Sequence, residues 1–178
     1  MTSHNKILNF LKDAKNISLG YKEIRFFNPK NLKEMQIGYS SDEYGNSLVA
    51  EKTGYDWEDE HNTNTWKKGW IVIGSNELGD PIIVDKSFPL LPVIHAPHGC
   101  GDWETNYIIA DSLENFKNII ELLDGISKNR KDPSLLEANP ITDTEKEQFL
   151  NQVKQENPNI EYINYWEMIV GNIYKDDD

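Results

Sequence analysis

The hydrophobic pattern changes its period at Ala110, and that change limits the available folds more than any other feature. From Trp70 up to it, apolar residues cluster in short β-branched runs; after it, they recur every three or four residues. Strands followed by helices, without βαβ alternation, place the chain in the α+β class, with a mainly antiparallel sheet packed against helices in layers. Trp70-Ile71-Val72-Ile73-Gly74 and Pro81-Ile82-Ile83-Val84-Asp85 flank the turn-rich Ser75–Asp80 and predict a hairpin. Leu91–His95 and Tyr107–Ala110 supply two more strands, joined by links too short for crossover helices.

Beyond Ala110, Asp111 or Ser112 is placed to cap a helix carrying Leu113, Phe116, Ile119, Ile120 and Leu123, ended by Asp124-Gly125. Thr142-Asp143-Thr144-Glu145 is a capping box and opens a second helix with Phe149, Leu150 and Val153, stopped by Asn157-Pro158. A third helix is predicted from Tyr162, Tyr165, Trp166, Ile169, Val170 and Ile173. At the amino-terminal end, Ser3 is expected to cap a helix with Ile7, Leu8, Leu11 and Ala14 on one face. Tyr21–Phe27 reads as a strand, Asn31–Met35 as one helical turn, and Ser47–Ala50 as a weak strand signal. Trp70 and Phe116 are expected in the core, facing each other across the sheet and helix layers.

The 178 residues contain no internal repeat and no Pro/Gly/Ser-rich linker, so residues 1–178 read as one domain with a carboxy-terminal helical extension from about 133. Asn9, Lys12 and Asp13 interrupt the run that begins at Ile7, which excludes a signal-peptide core there, and no run reaches the length of a membrane span. A cytoplasmic location is the expectation. With 18 Lys and Arg against 30 Asp and Glu, the net charge of −12 argues against nucleic-acid binding. A lone cysteine, Cys100, allows neither an internal disulfide nor a four-cysteine zinc site.

Charge is unevenly placed. The first 33 residues hold seven cations and two anions, whereas the rest holds eleven cations and 28 anions. Asp42, Glu43, Glu51, Asp56, Glu58, Asp59 and Glu60 crowd together, interleaved with Tyr44, Tyr55 and Trp57. Such a stretch is either a solvated loop or a docking face for a basic partner, with charge speeding encounter and aromatics providing anchors.

His95, His98, Cys100 and Asp102 have metal-ligand chemistry, with His61 as the one further candidate. Their crowding into one strand end and loop lacks the two separated pairs of a structural zinc site. Cys100 with His98 is a poor nucleophile and base pair at two residues' separation. Gly74 and Gly79 flank four residues as in a phosphate loop, but no Gly-Lys-Ser/Thr follows, and Glu77 and Asp80 would repel phosphate. Glu77, Asp80, Asp85, Asp102 and Glu104 leave a carboxylate pair for glycan hydrolysis open, although 30 acidic residues make proximity by chance ordinary. Trp66, Trp70 and Trp166 lie on or beside apolar faces and read as core residues.

Taken in order, Trp70-Ile71-Val72-Ile73-Gly74, Leu78-Gly79-Asp80-Pro81-Ile82-Ile83-Val84-Asp85, Pro92-Val93, His98-Gly99 with Trp103, and Ile109-Ala110-Asp111-Ser112-Leu113-Glu114-Asn115-Phe116 resemble the SUKH superfamily. That group comprises yeast cell-wall-assembly regulators and bacterial toxin-immunity proteins. Leu32–Tyr39 and the helix with Phe149–Val153 are similar to a Bacillus-type branch. Leu113 departs from the pattern, in which Phe is commoner, and Tyr39–Asn64 does not align.

The resemblance implies a nonenzymatic α+β binding domain with no catalytic residues, no metal and no cofactor. Its expected function is neutralisation of a basic, nuclease-type toxin by direct binding. The alternative is a cell-wall-assembly or signalling adaptor that holds a small ligand or partner protein. Candidate partner-binding residues are Asp42, Glu43, Trp57, Glu58, Asp59 and Glu60, then Glu77 and Asp80 at the hairpin tip, and His98 and Trp103 in the following loop. A protein partner is expected, with neither nucleic acid nor membrane.

Overall fold

The computed structural model describes residues 1–49, 66–97, 103, 105–136 and 138–171. Helix α1 spans Ser3–Asp13 and is capped by Thr2, whose extended backbone lets its hydroxyl accept from the Asn5 amide; the expected cap, Ser3, already lies inside the helix. The chain then forms β1 (Ile17–Leu19), β2 (Lys22–Phe26), β3 (Trp70–Asn76), β4 (Pro81–Asp85), β5 (Val93–His95) and β6 (Tyr107–Ala110). These pair in sequence order, every pair antiparallel, giving one six-stranded meander. Helices α2 (Leu113–Lys128), α3 (Asp143–Glu156) and α4 (Asn164–Ile169) follow. The α+β class and the antiparallel sheet are as expected from the change of period.

Both faces of the sheet are covered, by different material. Alternation along β3 sends Ile71 and Ile73 to the helical side, where they join Ile7, Leu11, Phe116, Ile120, Phe149 and Trp166. Trp70 and Val72 point the other way, packing with Trp66, Ile83, Ile94 and Ala96 under Phe27, Tyr39, Val49 and Trp103. Trp70 and Phe116 are both buried, yet they sit on opposite sides of the sheet and do not face each other. A pattern that is apolar on both faces carries no label for which face takes the helices.

Several boundaries differ from the sequence reading. Tyr21–Phe27 is half of a hairpin: Ile17 pairs with Ile24, and Gly20, at φ 63°, turns the chain. Asn31–Met35 gives way to two short 3₁₀ turns, Pro29–Asn31 and Glu34–Gln36. Ser47–Ala50 forms no strand among its described residues, only an isolated bridge from Ser47 to Ser41. Helix α2 runs through Gly125, because Ser127 and the buried Arg130 tie its last turn down. The third predicted helix is shorter than its apolar spacing suggested, ending at Ile169, and Ile173 lies outside the described residues.

Neither sheet edge is bare along its whole length. Beside β1, the Ser18 carbonyl accepts from the Ser127 hydroxyl at 3.1 Å, and the adjoining Gly20 amide donates to the Pro133 carbonyl at 2.7 Å. Along β6, the Ile108 carbonyl accepts from the Glu161 amide at 3.1 Å, the Ile108 amide donates to the Glu161 carboxylate at 3.2 Å, and Trp166 Nε1 donates to the Ile109 carbonyl at 2.7 Å.

Candidate functional site

The β3–β4 turn is built by Asn76. Its side-chain oxygen accepts from the Leu78 and Asp80 amides at 3.0 and 2.8 Å, while its Nδ2 donates to Asp80 Oδ2 at 2.9 Å. Gly79 takes the positive φ (85°) that the turn requires. These bonds turn Asp80 inward. Only 5% of the residue is exposed, so the expectation of Asp80 as a surface contact for a partner is corrected here.

Ile82 pairs with His95, which brings the imidazole to Asp80: His95 Nε2 lies 3.2 Å from Asp80 Oδ2. His95 is 4% exposed, and its ring lies 4.6 Å from that of buried Tyr165 of α4, the two planes tilted by 39°. Burial pulls the imidazole below its ordinary value, against the opposing pull of Asp80 and Glu77, and pushes the Tyr165 hydroxyl up. A neutral ring donating from Nε2 to the carboxylate satisfies the contact with Asp80. His95 Nδ1 and the Tyr165 hydroxyl have no hydrogen-bond partner among the described residues. Glu77 stays half-buried at the rim, accepting from the Glu23 amide at 3.3 Å and facing Lys22 at 4.0 Å. Asp80, His95 and Tyr165 are thus gathered at one end of the sheet, all three buried.

The acidic loop has the opposite character. Asp42 accepts from the Tyr44 amide at 2.9 Å and from the backbone and side chain of Asn46 at 2.7 Å each, and these bonds, the Asn46 side chain foremost, hold its carboxyl below the usual range. Gly45, at φ 85°, closes the turn. The result is a short hydrogen-bonded loop with Glu43 exposed and Tyr44 82% exposed. Trp103 is half-buried, its ring 5.2 Å from Trp66 and 5.8 Å from Tyr39. Trp57, Glu58, Asp59, Glu60 and His98 lie outside the described residues, as do His61, Cys100 and Asp102. Among the described residues no group of three His, Cys, Asp or Glu side chains is placed to hold a metal.

The residues that carry the SUKH resemblance have structural work. A Cβ at Gly74 would stand 2.3 Å from the Arg25 carbonyl, so only glycine lets β2 approach there. Asp85 accepts from Trp70 Nε1 at 3.2 Å and from the Ser87 amide at 2.8 Å. Asp111 holds the backbone and side chain of Asn159, each at 3.0 Å, and Ser112 caps α2.

Two polar hubs went unread in the sequence. Gln36 exchanges two side-chain bonds of 2.9 Å with the backbone of Val72, standing in for a neighbouring strand. Arg130 is buried against Glu145 and the carbonyls of Ile126, Asn139 and Pro140. A single Gln or Arg in a polar stretch gives no periodic signal; only the partner's position reveals it.

Compared with family models, curated proteins and solved structures, the chain matches none.

Proposed function

We propose that this chain is a nonenzymatic binding protein that neutralises a basic toxin, with the loop at Asp42–Asn46 as part of its contact surface. The observation that carries this reading is Tyr44. Large aromatics seldom stand so far into solvent, and here the Asp42 bonds fix the backbone beneath the ring, so less ordering entropy is lost on docking. Glu43 beside it and the net charge of −12 favour a cationic partner by steering encounter. The inward setting of Asp80 and His95 favours binding over catalysis. The order of elements, one helix, then strands, then helices, supports the SUKH resemblance on which the toxin assignment rests.

The test is purification of the tagged chain from its own cells at low salt, followed by kinetics with the recovered partner. One stoichiometric basic protein is expected, whose toxic activity the chain inhibits. Tyr44→Ala should speed dissociation about 30-fold, the equivalent of roughly 2 kcal/mol at an interface anchor. Glu43→Lys should slow association and weaken its salt dependence. Recovery of no basic partner, or rates indifferent to both substitutions, overturns the assignment.

A further inference from the structure

We propose that the contact of Asp80, His95 and Tyr165 makes the seating of α4 on the sheet depend on protons: α4 is held while His95 is neutral and loosens as His95 becomes charged. The argument begins with α4 itself. It has six residues, and its first turn lacks a side-chain cap. A helix so short does not persist alone in water, so its position depends on what Tyr165, Trp166 and Ile169 bury.

Tyr165 lies directly against the imidazole of His95, so any charge on that ring appears inside the α4 contact. The described ionisable groups that face the imidazole are few. From the β3–β4 turn come Asp80 and Glu77, and from α4 comes Tyr165. Asp80 is already shared with Asn76, and Tyr39 across the sheet feels its charge; Glu77 is engaged by Lys22 and the Glu23 amide. Protonation therefore turns Nδ1 into a second buried donor with no acceptor among the described residues. A buried donor left unsatisfied is costly, and movement of α4 relieves it by admitting water.

The sign follows from burial. The folded imidazole sits below its ordinary 6.5, so the folded state binds fewer protons than the open one, and this contribution is present above pH 6.5 and lost as the pH falls below it. One proton sets the limit: with an open-state value of 6.5, opening of α4 should rise by up to about fivefold between pH 6.5 and 5.5.

Hydrogen exchange of the Tyr165, Trp166, Glu167 and Val170 amides, which bond within or into α4, reads this opening once corrected for intrinsic exchange rates. The unmodified protein should show the rise at these amides and none at the amides in the middle of α2. His95→Phe should abolish it. A flat profile in the unmodified protein, or an unchanged slope in His95→Phe, overturns the proposal. Should that variant fail to fold, NMR titration of the His95 ring in the unmodified protein decides: titration below 6.5 together with α4 opening supports the latch, and titration at or above 6.5 overturns it.

Discussion

Arg130 shows how much one side chain can hold at the residue scale. It is buried, yet every nitrogen of its guanidinium donates to an acceptor, and it joins the end of α2 to the start of α3 through Glu145 at 2.9 and 3.3 Å. Arg130→Ala would leave three carbonyls and a carboxylate facing a void, and should cost about 3–5 kcal/mol in urea denaturation. Glu145 reports on the same pair. The guanidinium holds its carboxyl down at about 2, against an ordinary 4.5. A lowered carboxyl stabilises the fold above the unfolded value, and that contribution disappears as the pH falls from 4.5 towards 2. Discounted for the side chain's partial exposure, it amounts to about 2 kcal/mol. The stability-against-pH curve of Glu145→Gln should be flatter in that window. Gly74 makes a second case at this scale: Gly74→Ala pushes a methyl into the Arg25 carbonyl and should cost about 3 kcal/mol by forcing β2 from β3.

Local chemistry at the element scale was legible wherever a motif acts on its own backbone. The capping box of α3 is the clearest instance: Thr142 accepts from the Glu145 amide at 3.2 Å, and Glu145 returns the bond to the Thr142 amide at 2.9 Å. Thr142→Ala should lower stability by about 1 kcal/mol, visible as a lower melting temperature. Strand identity in β3–β6 was equally plain from β-branched runs. What the pattern could not carry was anything decided by a partner distant in the chain. β1 has three residues and exists because Ile24 lies opposite Ile17; α2 outlasts its glycine because Ser127 finds Ser18; α4 stops early although its apolar spacing continues. The candidate site divides along the same line. Acidic residues 42 and 43 were visible as charge, whereas the inward turn of Asp80 depends on Asn76 and on a histidine one strand away.

For the whole molecule, the two-sided sheet changes what a tryptophan can report. Trp70 is sealed in the smaller, aromatic-rich layer with Trp66, and truncating it to Ala should cost about 3–5 kcal/mol. With Trp70 as the sole tryptophan, acrylamide should barely quench its emission, whereas free quenching would mean that this layer opens in solution. Trp166 belongs to the helical layer, and a matched single-tryptophan variant separates the melting of the two layers. The partly covered sheet edges have a further consequence, for synthesis on the ribosome. β1–β6 are complete by Ala110, but the groups that cover their outer edges come from residues 127–133 and 157–166, which are translated later. At roughly 5–20 residues per second, the emerging sheet stands for several seconds with both margins unpaired. The nascent chain, more than the finished protein, is therefore the form most exposed to strand-to-strand pairing.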